Sequence, residues 1–379
     1  MQEIYLDNAA TTRTHPEIAR LALEMMCENY GNPSSLHEMG IRAQLAVDRA
    51  RKQVAKALGC LPEELTFTSG GTEANNLAIL GGAEALRRRG NTVVTTQVEH
   101  ASVSAAFGRL EQLGFTVKRI SPLKDGSLDV DALAGAVDED TVLVSCMLVN
   151  SEVGAVSDIA AGVRAARKKR KDLLFHCDAV QAFGKLDFTP KALGVDLLTV
   201  SGHKIHAPKG VGALYVRRGA RILPQTFGGG QERGLRPGTE STPLIAAFGL
   251  AAERSAEGKR AALDKVNTIC GFFLDKAEKI QGICRNSAPQ GTPYICNLSL
   301  PGYRSEILLH YLAEGGIYVS SGSACSRGEK SHVLTAMGLP PERIDSALRV
   351  SFSADNTVGD VERFFARLER AQKEILTAK

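Results

Sequence analysis

The sequence predicts an α/β fold in which a large domain, with a mostly parallel sheet flanked by helices, is joined to a smaller α+β domain at the carboxyl end. Short apolar runs without polar alternation recur through the middle of the chain, as expected of strands covered on both faces. Helical patterns separate the earlier runs, which is the order of a layered α/β fold. After about residue 245 a long Ala-, Lys- and Glu-rich helical stretch begins, and this change indicates the second domain.

The individual elements follow in chain order. One face of a helix is formed by Val47, Ala50, Val54, Ala57 and Leu58, and Gly59 is a suitable end for it. Buried strands are predicted at Val142–Val149, Leu173–Cys177, Leu197–Val200 and Ala213–Val216, with a helix over Ile159–Lys169. The second domain is expected to contain a helix from about 245 to 281, a strand region at Pro293–Leu300 and a last helix from about Val358.

Charge and cysteine usage exclude several classes of protein. The net charge is +4 and the basic residues are scattered, so we expect no direct nucleic-acid binding, and we interpret the run Arg167–Lys171 as a solvated helix end. Neither a signal peptide nor an apolar run long enough to cross a bilayer is expected. The eight cysteines include no C-x-x-C pair, which predicts a reducing, cytoplasmic location without a disulfide framework or a stable metal site.

Two polar residues stand just past predicted strands. Lys204, in the run Ser201–Lys204, follows a buried strand, and ligands gather at this edge of open α/β sheets. A partly desolvated lysine there has a lowered pKa and forms Schiff bases, although these four residues alone also fit a surface loop. Asp178 holds the equivalent place after the preceding strand. Its carboxylate is suited to pair with the pyridine nitrogen of a cofactor or, equally, to cap the following helix.

Two glycine-containing segments complete the candidate site. In Ser69–Asn76 a Gly-rich turn precedes a helical run, so its backbone N–H groups and the Thr72 hydroxyl can bind a phosphate, although the turn also fits a plain helix cap. It lacks the nucleotide-binding pattern G-x-x-x-x-G-K-[ST]. In Ser320–Gly328 small residues and two glycines surround Cys325, which is typical of an exposed loop, and Arg327 would favour the thiolate. The alternative here is an incidental exposed thiol.

Taken together and in order, these segments resemble the cysteine desulfurases of the NifS/IscS type, in the class V group of fold-type I pyridoxal-phosphate (PLP) enzymes. The resemblance covers nearly the whole chain and rests on Tyr5–Thr12, Gly31–Ser35, Gly70–Glu73, Glu99–His100, Val149–Asn150, Asp178–Gln181, Ser201–Lys204, Gly228–Thr239, Ser321–Cys325 and Arg349–Ser351. It implies a large PLP-binding domain at 15–257 and a small domain, made of 1–14 and 258–379, that carries the Cys325 loop.

The same resemblance implies a role for each matching residue. Catalysis would rest on Lys204, which holds PLP as a Schiff base and moves the substrate Cα proton, on Cys325, which takes the sulfur as a persulfide, and on His100, which stacks on the cofactor ring. The expected cofactor ligands are Gly71, Thr72, His100, Asp178, Gln181, Ser201, His203, Lys204 and Thr239, the last reaching the phosphate of a neighbouring subunit. The expected ligands of the substrate, L-cysteine, are Asn150, Arg349 and Asn32.

The implied reaction yields L-alanine and passes sulfur to an acceptor protein such as an iron–sulfur scaffold, with which Cys325 would at most share a cluster transiently. Thr239 implies a homodimer. The sequence departs from the family at Ile205–Pro208, where a Tyr-Gly or His-Gly pair is usual, and the stretch from Cys325 to Ser331 is slightly short. Two alternatives stay open: another class V PLP enzyme, such as an aminotransferase or a selenocysteine lyase, and a non-catalytic PLP-binding or iron–sulfur module.

Overall fold

The computed structural model describes residues 3–321 and 330–375, so Cys325 and most of its loop lie outside the described residues. The strands are β1 Ile4–Tyr5, β2 Leu65–Thr68, β3 Thr92–Thr96, β4 Thr116–Ile120, β5 Thr141–Met147, β6 Leu174–Asp178, β7 Leu197–Ser201, β8 Gly212–Val216, β9 Cys284–Arg285, β10 Ile295–Ser299, β11 Ile317–Tyr318 and β12 Ala347–Ser351. The helices are α1 Pro16–Cys27, α2 Glu38–Leu58, α3 Gly71–Leu86, α4 Ala101–Gln112, α5 Val130–Ala136, α6 Ile159–Lys169, α7 Pro190–Leu193, α8 Thr242–Glu278, α9 Ser305–Glu314, α10 His332–Ala336, α11 Pro341–Asp345 and α12 Val358–Glu374.

The main sheet has seven strands in the order β2-β8-β7-β6-β5-β3-β4. The strands β7, β6, β5, β3 and β4 pair in parallel, whereas β8 runs antiparallel to both of its neighbours. The prediction of a mostly parallel sheet is therefore confirmed. Because parallel strands end at one edge of the sheet, the residues that follow β6 and β7 are brought to the same place.

Helices cover both faces of this sheet, and the central strands are buried along their whole length. Adjacent residues of one strand belong to different hydrophobic cores: Leu197 packs with Phe107 on one face, and Leu198 packs with Phe175 on the other. This follows from the two-residue period of a strand, which sends neighbouring side chains to opposite faces. Both faces need apolar residues, so the strand runs show no polar alternation.

The carboxyl-terminal part forms an antiparallel sheet in the order β12-β10-β9. Helix α8 is 37 residues long and runs from the large sheet's side of the molecule, where it packs on α1 and α2, to α12. The amino-terminal strand β1 pairs in parallel with β11, and Asp7 forms a bridge with Ser351 of β12. The first residues of the chain therefore belong structurally with its last third.

The helices were compared with the length and apolar character of a membrane-spanning helix. Within residues 3–321 and 330–375, no helix combines the length and the apolar character that a bilayer crossing requires.

Candidate active site

A cavity of about 330 Å³ lies where β6 and β7 end and where α3 and α4 begin. Its walls contain nine of the residues that the sequence singled out: Gly71, Thr72, His100, Asp178, Gln181, Ser201, His203, Lys204 and Arg349. These residues come from segments spread over 279 positions, from Gly71 to Arg349 counted inclusively. The structure thus brings most of the predicted site together at the carboxyl edge of the parallel strands.

Lys204 lies in a short 3-10 turn directly after β7. Its Nζ donates hydrogen bonds to the carbonyl oxygens of Ala9, at 2.6 Å, and Ala10, at 2.7 Å. Burial, followed by the positive charges of Lys185 and Arg349, lowers the pKa of Lys204 to about 7. The group is therefore not the solvated loop lysine that the isolated motif also allowed. A substantial unprotonated fraction at neutral pH makes it a competent nucleophile and base.

Asp178 and His100 are joined by a hydrogen-bond network that sequence reasoning did not foresee. The amide Nδ2 of Asn75 donates to Asp178 Oδ2 at 2.8 Å and to Ser102 Oγ at 2.9 Å. Ser102 Oγ lies 2.8 Å from His100 Nδ1, and Asp178 Oδ1 accepts from the N–H of Val180 at 3.0 Å. Burial lowers the pKa of His100, an effect that the charge of Asp178 partly offsets. These hydrogen bonds fix the orientation of the Asp178 carboxylate in the cavity wall.

Hydrogen-bond donors are concentrated at the amino terminus of α3. The first N–H groups of a helix have no intrahelical acceptor, and here they belong to Gly71 and its successors beside the Thr72 hydroxyl. Ser201 Oγ is buried in the same cavity and has no hydrogen-bond partner among the described residues. Burial lowers the pKa of His203 to about 3, so the ring is neutral, and its Nδ1 lies 3.2 Å from Thr11 Oγ1.

These groups fit PLP. The orphaned Ser201 hydroxyl and the free N–H groups of α3 suit a phosphate. The amine of Lys204 suits an aldehyde, and the fixed carboxylate of Asp178 suits a protonated pyridine nitrogen. A side chain at Gly71 would place its Cβ 3.0 Å from Val180 Cγ2. Glycine at position 71 therefore leaves space that a larger residue would fill.

Arg349 reaches the cavity from β12 and is almost fully buried. Its Nη1 donates to the carbonyl oxygen of Ser151 at 3.0 Å, and its Nη2 donates to Asp7 Oδ1 at 2.8 Å. The ion pair with Asp7 fixes the guanidinium plane at the cavity wall. A guanidinium held in this way is suited to a bidentate grip on a carboxylate.

Three predicted residues are not among the described residues that line this cavity. Asn150 is buried close by, but its Oδ1 accepts from the N–H groups of Glu152 and Val153, at 2.9 and 3.0 Å, so the side chain shapes a turn. Asn32 is exposed and its Oδ1 accepts from the N–H of a neighbouring residue at 2.9 Å. Thr239 is exposed and lines a separate cavity of about 190 Å³.

Sequence reasoning assigned no role to two buried ionisable residues in or beside the site. Glu99 lines the cavity with its carboxyl fully buried, and burial raises its pKa to about 8. Lys185 is 8% exposed, and burial followed by the charge of Arg349 lowers its pKa to about 8. The available signal was a charged residue inside an otherwise apolar or motif-bearing segment, such as Glu99 between Val98 and His100.

One group of possible metal ligands occurs in the part of the chain that the structure describes. Its members are His15, His206 and Asp355, whose ligand atoms lie within 4.8 Å of one another. The two imidazoles are stacked, with centroids 4.1 Å apart and planes inclined by only 23°. Lone pairs that lie in nearly parallel planes do not meet at one ion unless a ring rotates, and Arg254 and Lys265 line the same cavity. The arrangement is therefore poorly suited to a cation.

Comparison with known proteins gives a consistent result. The aminotransferase class V family matches residues 4–364. The cysteine desulfurase IscS of Clostridium botulinum (strain Hall) is 38% identical over 379 residues, which covers 98% of this chain and 95% of that protein. The protein of the same name from Methanosarcina thermophila is 40% identical over 363 residues, covering 95% and 89%.

Solved structures agree with these relatives. A NifS-like protein superimposes with a TM-score of 0.93 at 36% identity, covering 98% of this chain and 100% of that one. A NifS-like protein from Rickettsia africae gives a TM-score of 0.88 at 32% identity, with 98% and 100% coverage.

Proposed function

This chain belongs to the aminotransferase class V family and is a PLP-dependent cysteine desulfurase, and we propose that Lys204 and Cys325 divide its reaction between them. Lys204 holds the cofactor and moves the substrate's protons, whereas Cys325 takes the sulfur. The observation that carries this proposal is the meeting of Lys204, Asp178 and the unpartnered Ser201 hydroxyl in one cavity. PLP requires three groups: an amine for its aldehyde, a carboxylate for its ring nitrogen and a hydrogen-bond donor for its phosphate.

When bound, PLP supplies an electron sink for the charge left at the substrate Cα. Lys204, whose pKa burial lowers to about 7, can take a proton and return it near neutral pH. Asp178, held by Asn75 and the N–H of Val180, would pair with the pyridine nitrogen of the cofactor. The neutral imidazole of His100 closes one side of the cavity.

Arg349 supplies the grip on the substrate carboxylate, supported by its buried position and its orientation by Asp7. Asn150 and Asn32 are proposed to assist on the strength of the motif alone, since both side chains are engaged in local turns. Cysteine bound in this way presents its sulfur to the protein. Desolvation inside the cavity strengthens the ion pair between the guanidinium and the carboxylate.

The sulfur transfer is assigned to Cys325 from its sequence setting. Its thiolate forms a bond to the substrate sulfur while the bond between that sulfur and the substrate Cβ breaks. The carbon product leaves as L-alanine once it has been protonated. Cys325 keeps the sulfur as a persulfide, and an acceptor protein such as an iron–sulfur scaffold removes it in a later exchange.

We propose further that the enzyme works as a homodimer. An exposed apolar surface, which we call the α1–α2 surface, is formed by Leu23, Met26, Tyr30, Leu36, Ile41 and Leu45. Leu36 is 96% exposed in the single chain, and a concentration of exposed apolar side chains is typical of protein interfaces. The position of Thr239 outside the cavity of its own chain supports the expectation that it reaches the cofactor phosphate of a partner subunit.

A cytoplasmic location is proposed from the thiols. The seven cysteines within the described residues are all free, and Cys270 Sγ lies 3.4 Å from Cys296 Sγ, within hydrogen-bond distance but without a disulfide bond. Free thiols at this distance are compatible with a reducing compartment. A persulfide on Cys325 would also be short-lived where disulfides form readily.

Two alanine variants test the separate roles proposed for Lys204 and Cys325. Cys325→Ala is expected to keep the lysine-linked cofactor absorbance but to release no sulfide from cysteine, and Cys284→Ala, which removes a partly exposed thiol away from the α1–α2 surface, serves as its control. Lys204→Ala is expected to lose the lysine-linked absorbance. Mass spectrometry of wild-type enzyme should show one added sulfur on the Cys325 peptide. Full turnover by Cys325→Ala would overturn the persulfide step, and an unchanged absorbance in Lys204→Ala would overturn the role of Lys204.

A further inference from the structure

Lys185 is a buried charged residue that the proposed reaction does not use. It lies in the turn that follows β6, four residues after Gln181, and it is 8% exposed. Lysine is almost never buried to this extent without an anionic partner. In the described chain its Nζ has no carboxylate partner: it donates to Gln181 Oε1 at the long distance of 3.5 Å and lies 5.5 Å from the centre of the Tyr294 ring.

A short chain of contacts connects Lys185 with the cofactor lysine. The Nζ of Lys185 donates to Gln181 Oε1, and Gln181 Nε2 donates to the carbonyl oxygen of Ala9 at 2.8 Å. The same carbonyl oxygen accepts from Lys204 Nζ at 2.6 Å. Lys185 and Lys204 also share the wall of a second cavity, of about 380 Å³, behind the active site. The ammonium groups of Lys185 and Lys204 therefore lie on either side of the Gln181 amide and the Ala9 carbonyl group.

The donor inventory of these groups fixes the orientation of Gln181. An ammonium group has three donors and no acceptor. The side-chain oxygen of Gln181 must therefore face Lys185, and its NH₂ must face Ala9 and the active-site cavity that Gln181 lines. The reversed amide would set two donors against each other at Lys185 and two acceptors against each other at Ala9. Lys185 and the carbonyl oxygen of Ala9 together make Gln181 present a donor on the side of the active-site cavity.

The charge of Lys185 acts on Lys204 as well. The groups that face Lys204 are Lys185 after β6, Arg349 on β12, Asp7 after β1, Asp178 at the end of β6, His203 in its own turn and His100 at the head of α4. Lys185 and Arg349 lower the pKa of Lys204, and the two aspartates raise it. The charge of Arg349 is paired with Asp7, whereas no carboxylate in the described chain neutralises Lys185. Lys185 is therefore the less compensated of the two positive charges.

We propose that Lys185 is a positioning residue for the cofactor lysine, which orients the amide of Gln181 toward the active-site cavity and places a positive charge beside Lys204. The inference rests on the proposed function, because it takes Lys204 as the residue that bears PLP. It assigns to a buried lysine outside the cofactor motif a role in setting the protonation of the lysine–cofactor linkage. It also accounts for a buried ammonium group that has no carboxylate partner among the described residues.

Three substitutions of Lys185 separate its effect on the Gln181 amide from the effect of its charge on Lys204. Lys185→Met removes both charge and donor, Lys185→Gln keeps a donor for Gln181 but removes the charge, and Lys185→Arg keeps both. The first readout is the pH titration of the cofactor absorbance in the loaded enzyme. Losing the charge should raise the pKa of the lysine–cofactor linkage by about one unit in the Met and Gln variants. The Arg variant should titrate as the wild type does.

The second readout is cofactor retention, measured as the rate at which PLP is lost on dilution. We expect about tenfold faster loss from Lys185→Met than from Lys185→Gln, since only the latter keeps Gln181 oriented. Lys191→Met, at an exposed lysine on α7, is the matched control and should change neither readout. If Lys185→Met does not fold, the comparison of the Gln with the Arg variant decides the charge effect.

The outcomes distinguish the proposed role of Lys185 from the proposed function on which it rests. An unshifted titration in both Lys185→Met and Lys185→Gln would overturn the inference while leaving the function intact. A lysine-linked absorbance that survives in Lys204→Ala would instead show that the cofactor is not carried by Lys204.

Discussion

The ionisation of Glu99 couples this site to the stability of the protein. Its Oε1 accepts from Thr96 Oγ1 at 2.6 Å and from the N–H of Met147 at 3.0 Å. Its Oε2 has no hydrogen-bond partner among the residues that the structure describes. Burial, only partly opposed by these two hydrogen bonds, raises the pKa of the carboxyl group to about 8. At neutral pH the residue is therefore mostly a neutral acid inside the active-site wall.

This raised pKa predicts a pH dependence of stability. The carboxyl binds its proton more tightly in the folded than in the unfolded chain, so its contribution is fully present below the unfolded pKa of 4.5 and is lost as pH rises toward 8. Glu99→Gln keeps the shape but cannot ionise. Between about pH 5 and pH 8, the free energy of unfolding of the variant should gain about 2–4 kcal/mol relative to the wild type.

Denaturant unfolding at several pH values measures this difference. Glu28→Gln, at an exposed carboxylate, is the control and should follow the wild type across the range. A constant offset between Glu99→Gln and the wild type would show that Glu99 is ionised in the folded protein at all these pH values.

At the scale of elements, the amino terminus of α3 is the part of the fold proposed to bind the cofactor phosphate. The hydroxyl of Thr72 adds one donor to the free N–H groups of the first turn. A hydrogen bond to a charged group contributes about 1.5–3 kcal/mol. Thr72→Val, which keeps the side-chain shape, should therefore weaken PLP binding about 10- to 100-fold.

Titration of cofactor-free enzyme with PLP measures this loss. Thr268→Val, at an exposed threonine on α8 whose hydroxyl bonds only within its helix, should bind PLP as tightly as the wild type. Equal affinity in the two variants would place the phosphate elsewhere than at α3.

The sequence predicted the central strands because their burial on both faces leaves uninterrupted apolar runs. The helix Ile159–Lys169 was predicted with its observed bounds, and the predicted strand Val142–Val149 is observed as Thr141–Met147. The strands β3 and β4 were not predicted. Thr92–Thr96 is rich in threonine, and Thr116–Ile120 is a largely exposed edge strand, so neither carries the apolar run that marks its neighbours.

Residues of the candidate site could likewise be predicted only where the sequence carries a local signal. Lys204, Asp178 and the α3 turn were recognisable because each lies at the end or start of a regular element. The partners that tune them were not, because Asn75, Ser102 and Lys185 act through contacts that only the folded chain creates. Periodicity and motif spacing carry no signal for a hydrogen bond between residues 103 positions apart, such as that from Asn75 to Asp178.

At the scale of the whole molecule, the α1–α2 surface predicts the state of association. Burying a charge without a partner in an apolar interface costs several kcal/mol. The double variant Leu36→Asp/Ile41→Asp should therefore sediment as a monomer at concentrations where the wild type is a dimer. Because Thr239 is proposed to serve the neighbouring subunit, the variant should also lose PLP more readily.

Sedimentation velocity over a range of concentrations provides the measurement. Leu123→Asp, which changes an exposed apolar side chain outside that surface, should remain dimeric. A wild type that sediments as a monomer, or a double variant that remains a dimer, would contradict the proposed interface.

The division into a large domain at 15–257 and a small domain of 1–14 plus 258–379 stays a prediction. The pairing of β1 with β11 and the bridge between Asp7 and Ser351 support the assignment of the first residues to the small domain. Helix α8 passes through the predicted boundary without interruption. A boundary within this helix would therefore not coincide with a flexible linker.

The tie between β1 and β11 has a consequence for biosynthesis. A ribosome releases Ile4 and Tyr5 first, yet their strand partners, Ile317 and Tyr318, emerge more than three hundred residues later. The seven strands of the main sheet are complete by Val216 and can fold earlier, since domains generally form as units while the chain is still being made. Ala9, whose carbonyl group holds Lys204, has its place fixed only when the last third of the chain arrives. Binding of PLP at Lys204, as proposed above, is therefore expected only after the residues up to Ser351 have been synthesised.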